Sequence, residues 1–235
     1  LARFPDIKDK KRRTYAAMVS AVDDGVGNIL ETLKEQGIDE NTIVVFLSDN
    51  GGARNNASDN GDLRGHKNDL FEGGVRVPFA VRCLNKIPAG VDYHHPVSSL
   101  DILATIVAQA NVDVSNNKPL DGVDLLPYIT NKKSSSPHNI LFWRHLKSKS
   151  HAVRRGSDKL VQVKQETMLF NFDDDHQENN NIVEKHAEKD ADMQKAYQQW
   201  ESELQDQAFP YLGSWKKNRP NGQGKNKNKK KNTSE

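Results

Sequence analysis

Two short clusters of side chains in this sequence have the types and spacing to do chemistry. The first is "SDNGG" (Ser48–Gly52), where an acid, an amide and two glycines close the apolar run "TIVVFL" (Thr42–Leu47). Asp49 and Asn50 each offer a hard side-chain oxygen, one charged and one neutral, the donor type preferred by Ca2+ and Mg2+. Glycines directly behind them allow backbone or substrate to approach closely. The same residue types make tight turns, so the pentapeptide alone leaves a turn and a metal site both open. The second cluster, inside "GDLRGHKNDLFEGGVRVPF", places Arg64, His66 and Lys67 within four residues of a glycine-framed loop. Cations beside a metal site suit an anionic, tetrahedral substrate, although a solvated basic surface loop uses the same residues. Arg76 is expected to pair with Glu72 or with an acid of the first helix.

These residues need elements to hold them. From Arg13 to Gln36 the apolar residues Tyr15, Met18, Val22, Val26, Ile29 and Leu33 recur every three or four positions, which predicts an amphipathic helix. Gly25 and Gly27 each cost it about 1 kcal/mol relative to Ala, which suggests close packing against a neighbour, and Gly37 fits the position where the helix stops. "TIVVFL" is continuously apolar and β-branched, as in a central parallel strand covered on both faces. In open α/β sheets ligands bind beyond the carboxyl ends of such strands, and Ser48–Gly52 lies at one. A long polar loop, 53–74, precedes a strand in "VRVPFAVRC" that starts late because of Pro78. "SSLDILATIVAQA" predicts a helix capped by Ser98 or Ser99, with Leu100, Leu103, Ile106 and Val107 facing inward.

After a turn-rich hinge at 131–139, the short pieces "ILFWRH", "HAVRRG" with "DKLVQV", and "TMLFNF" read as a small antiparallel sheet. A charged helix is expected over 182–207. The organisation predicted is therefore a first domain over 1–130, a small α+β subdomain over 131–212, and a disordered basic tail over 213–235.

Composition narrows the function classes. The chain of 235 residues is 35% hydrophobic and 28% charged, and no apolar run approaches the ~20 residues needed to span a bilayer. The single cysteine, Cys83, excludes an internal disulfide framework and a cysteine-based zinc cluster. The net charge of +2 conceals an asymmetry: the last twenty residues carry eight Lys/Arg against one Glu, leaving the rest at −5. Such a tail can bind polyanions, but it lacks the interleaved aromatics that stack on bases, so nucleic acid is not the expected partner.

Taken together, "YAAMVSAVDDGVGNILETLKEQGIDENTIVVFLSDNGG", "LRGHKNDLFEGGVRVPFAVR", "SSLDILATIVAQA", "LDGVDLLPYI", "HAVRRGSDKLV" and "LFNFDDDHQENNNIVEK" resemble the sulfatase family of the alkaline phosphatase superfamily, in order over about residues 10–205. The resemblance implies an α/β fold: the C-terminal portion of an alkaline phosphatase-like sandwich with a mostly parallel central sheet, followed by an α+β subdomain with an antiparallel sheet and a C-terminal helix. It implies that Asp49 and Asn50 are divalent-metal ligands, for Ca2+ rather than Mg2+. Lys67 matches the catalytic lysine that contacts the substrate sulfate, His66 is a further substrate-binding candidate, and Arg64 and Glu72 match supporting positions.

The family's nucleophile is a formylglycine made from a C/S-x-P-x-R motif, which this sequence lacks. Cys83 is followed by "LNKI", and "SSPHN" ends in Asn where Arg belongs. The expectation is thus the C-terminal half of a sulfatase, inactive alone, with the formylglycine and the first metal-ligand pair upstream. The implied substrate is a sulfated small molecule or polysaccharide, and the implied location is the periplasm or the cell exterior. Two alternatives remain: a phosphodiesterase or phosphonate hydrolase of the same superfamily, and a non-catalytic fragment that binds polyanions through its basic tail.

Overall fold

The computed structural model describes residues 1–114 and 119–205; the basic tail expected at 213–235 lies outside the described residues. A compact unit spans Leu1–Gln194, and a second begins at Lys195. Helix α1 (Lys10–Glu35) starts at Asp9, whose carboxylate accepts the Arg12 N–H, so one of the unpaired amides of the first turn is satisfied. It ends at Gly37, which has φ +66° and permits the Ile38 N–H to reach back to the Leu33 carbonyl. No residue of α1 is buried, and Met18, Val19, Val22 and Ile29 are exposed. Nothing lies within 4 Å of a β-carbon built on Gly25 or Gly27, so the close packing expected of these glycines is absent among the described residues.

Strand β1 (Val44–Leu47) carries the first cluster at its end. Its expected place in a parallel sheet, covered on both faces, is corrected here. It pairs antiparallel with β2 (Phe79–Arg82) in a two-stranded sheet, with Leu47 opposite Phe79 and Val44 opposite Arg82, and Phe46 is exposed. The reason is local. The chain leaves β1 at Ser48 and returns at Pro78, where the Ser48 N–H donates to the Pro78 carbonyl at 3.2 Å. Residues 48–78 are therefore one long excursion between two antiparallel strands, and β2 begins just after Pro78, which has no N–H to give a ladder.

Within that excursion, part of the expected loop is a one-turn helix, α2 (Glu72–Val75), with Glu72, Gly73 and Gly74 buried. Helix α3 (Asp101–Gln109) buries Asp101, Ala104 and Thr105, whereas of the residues expected to face inward Leu100, Leu103 and Ile106 are exposed and Val107 is half-buried. Polar contacts set this rotation. The Asp101 carboxylate accepts the Ser98 and Val123 N–H groups and pairs with His138 at 2.9 Å, and Thr105 Oγ1 accepts the Leu125 N–H. Leu125 leads into the short helix α4 (Leu126–Ile129).

The remaining strands form the expected antiparallel sheet: β3 (Leu141–His145), β4 (Ser150–Arg155), β5 (Asp158–Val163) and β6 (Glu166–Asn171), in that order. Ala152, Val161 and Phe170 are fully buried here and pack with Met168 and with Leu70 of the long excursion. Helix α5 (Ala187–Glu203) follows a short 3-10 turn, and its first turns meet the sheet through Lys189–Asp158 at 2.7 Å and the pair Arg155–Asp192.

Candidate functional site

The excursion between β1 and β2 folds back on itself so that both clusters belong to one small framework. Three backbone hydrogen bonds make it. The Lys67 N–H donates to the Gly52 carbonyl at 3.0 Å, the Gly51 N–H to the Gly74 carbonyl at 3.0 Å, and the Gly73 N–H to the Arg64 carbonyl at 2.7 Å. Helix α2 thus sits between the "DNGG" turn and the "RGHK" loop and holds each by its backbone.

The glycines are what permit this. A β-carbon on Gly51 would lie 1.8 Å from the Gly73 oxygen, and one on Gly73 would lie 2.4 Å from the Gly65 oxygen. Gly65 itself adopts φ +89°, in the region where a side chain is strained. Asn60 ties the halves together, its Oδ1 accepting the Gly52 N–H at 2.8 Å and its Nδ2 donating to the Gly65 carbonyl at 3.0 Å.

Asp49 is exposed and Asn50 half-buried. Among the described residues no ion pair engages the Asp49 carboxylate, and no group of three or more His, Cys, Asp or Glu is arranged to hold a metal ion. Two adjacent hard oxygens on a backbone-anchored turn fit Ca2+ as part of a set, since that ion takes about six to eight oxygens. Lys67 is exposed, and among the described residues its ammonium has no ion-pair partner. The His66 backbone is fixed by Asp69, whose Oδ2 accepts the His66 N–H at 2.9 Å and whose own N–H donates to the His66 carbonyl at 2.8 Å.

Arg64 and Glu72 point the other way, toward the second sheet. The Arg64 guanidinium lies 4.0 Å over the Phe71 ring and donates to the Glu178 carbonyl at 2.7 Å. Glu72 is almost wholly buried. Its Oε1 lies 2.7 Å from Lys159 Nζ on β5, and its Oε2 lies 3.4 Å from Arg154 on β4. The expected pairing of Glu72 with Arg76 is therefore replaced by pairing with Lys159 and Arg154, while Arg76 is exposed.

Glu178, after β6, completes the cluster: its Oε2 accepts the Glu72 N–H at 2.7 Å and its Oε1 lies 2.9 Å from Lys159 Nζ. Burial raises the Glu178 carboxyl pKa above the ordinary value, and the neighbouring Glu72 adds to the rise, against the opposing pull of Lys159. Sequence reasoning missed Asn60, Lys159 and Glu178, which lie in a polar loop, a strand and a polar turn. The one available signal was Lys159 within "DKLVQV", at a position where strand alternation with Val161 and Val163 turns a charge inward.

The chain is similar to known proteins. The family model described as Sulfatase matches residues 2–112. The chain is 37% identical over 130 residues to "Uncharacterized sulfatase YdeN" of Escherichia coli (strain K12), covering 55% of this chain and 23% of that protein. It is 34% identical over 137 residues to "Steryl-sulfatase" of Rattus norvegicus, covering 54% of this chain and 24% of that one. The crystal structure of Ps i-CgsB in complex with k-i-k-neocarrahexaose superposes with a TM-score of 0.83 at 34% identity, over 91% of this chain and 48% of that chain. The chain thus spans about half the length of that solved relative, and about a quarter of each sequence relative is matched.

Proposed function

We propose that this chain carries part of a sulfatase-family domain, and that its β1–β2 excursion is the metal- and sulfate-facing half of a sulfate ester hydrolase site. The observation that carries the reading is the bond from the Lys67 N–H to the Gly52 carbonyl at 3.0 Å, which fixes the candidate sulfate lysine to the candidate metal turn.

In this reading Lys67 donates through its ammonium to a non-bridging sulfate oxygen. Its attraction grows as negative charge develops while the ester oxygen departs, so it favours the transition state over the bound substrate. Asp49 and Asn50 supply two of the oxygens around a divalent cation, Ca2+ ahead of Mg2+. Such an ion, when bound, polarises the sulfate oxygens and orients the reacting groups. His66, next to Lys67 in the loop, is the further residue assigned to contact the organic part of the substrate. The nucleophile, a formylglycine in this family reading, comes from outside these residues, so the chain by itself is inactive.

A sulfated carbohydrate is the substrate class we favour, supported by the likeness to a structure solved with a carrageenan-type oligosaccharide. We place the enzyme in the periplasm or outside the cell; among the described residues no helix is long and apolar enough to cross a membrane. The test is hydrolysis of an aryl sulfate and the matching aryl phosphate by the protein that carries this chain. A preference for the sulfate, lost in Lys67→Ala, supports the proposal, whereas a preference for the phosphate assigns the site to phosphoryl chemistry.

A further inference from the structure

One wholly buried lysine lies behind the candidate site. Lys159, fully buried on β5, sits between two carboxylates, Glu72 at 2.7 Å and Glu178 at 2.9 Å. A lysine rarely loses all contact with water unless it is paired, and here both partners reach the site. The Glu178 carboxylate accepts the Glu72 N–H at the start of α2, and its backbone carbonyl accepts Arg64. From α2, Gly73 bonds Arg64 and Gly74 bonds Gly51.

We propose that Lys159 is a positioning residue for the site: by holding Glu72 and Glu178 together it fixes α2, and through α2 it sets both the Asp49–Gly52 turn and the Arg64–Lys67 loop. The small antiparallel sheet is then the base against which the site is registered, although it lends no group to the chemistry. The inference rests on the sulfatase reading only for what the loop binds; the mechanical link stands on the contacts themselves.

The alternative is a buried ion cluster that stabilises the sheet and leaves the loop indifferent. The two differ in where disruption is felt. Lys159→Met strands two buried carboxylates and can fail to fold, so the paired variant Lys159→Met/Glu178→Gln, which removes one charge of each sign and leaves Arg154 to Glu72, is the informative one. Two readouts are taken on the 235-residue chain: amide exchange at Gly51, Lys67 and Gly73, with Ala152 and Val153 of β4 as internal controls, and titration with inorganic sulfate.

The paired variant is expected to exchange the three loop amides about tenfold faster while the β4 amides keep their protection, and to bind sulfate about tenfold more weakly, the scale on which outer-shell partners act. Loop amides that exchange at the wild-type rate in the folded variant overturn the positioning role, whatever sulfate does. Wild-type chain whose sulfate response is unaffected by Lys67→Ala contradicts the sulfate reading, and the exchange comparison still decides the positioning role.

Discussion

A β-carbon on Gly51 would fall 1.8 Å from the carbonyl oxygen of Gly73. The "DNGG" turn and the "EGGV" helix are therefore in backbone contact, with no room for a side chain between them. The contact ties the end of β1 to the helix whose Gly73 N–H, on its other side, donates to the Arg64 carbonyl of the "RGHK" loop.

It follows that Gly51→Ala forces the two segments apart. Insertion into a well-packed site costs about 1–3 kcal/mol, and backbone on the opposing side leaves little room for relief, so the upper end is expected. Chemical denaturation of wild type and variant measures it. Gly61→Ala is the control, because nothing lies within 4 Å there and only its φ of +61° opposes the substitution.

Asp49→Ala removes the one charged side chain of the turn. Ca2+ affinity follows the number of charged ligands, so a loss of about tenfold or more is expected. Calorimetric titration with Ca2+ reads it, and Asn50→Ala, which removes a neutral oxygen, should cost less.

Glu178 gives a pH signature. Its carboxyl is raised above the ordinary 4.5 by burial, so the folded chain holds its proton to higher pH than the unfolded chain does. The folded state binds more protons in that interval, and stability from this group must fall as pH rises from about 4.5 through the raised value. Glu178→Gln removes the titrating group. Plotted against pH, the stability of wild type minus that of the variant should slope downward over this interval, as urea unfolding at several pH values would record.

The sequence conveyed the local features of the fold better than its packing. Asp49, Asn50 and Lys67 sit in short strings whose turn chemistry and order are legible without neighbours, and Gly37 stops α1 because a left-handed residue is needed there. The four-stranded sheet was visible from alternation and turn residues. The pairing direction of β1 was not, because an apolar run of this length reads the same in either direction. Nor was the face of α3, where Asp101 and Thr105 turn inward to satisfy the Ser98, Val123 and Leu125 amides and leave Leu100, Leu103 and Ile106 exposed. Lys159 and Glu178 lie 87 and 106 residues beyond Glu72, and no local pattern marks such partners.

In the proposed site Lys67 serves a sulfate held beside Asp49 and Asn50. The most direct measurement is kcat/KM for an aryl sulfate in the protein that carries this chain with its nucleophile, comparing wild type with Lys67→Ala. A transition-state charge partner of this kind is worth about 10²–10³-fold, so a loss on that scale, mostly in kcat and with the melting temperature unchanged, is the result predicted. Undiminished turnover in Lys67→Ala would contradict the account and return the "RGHK" loop to a solvated surface.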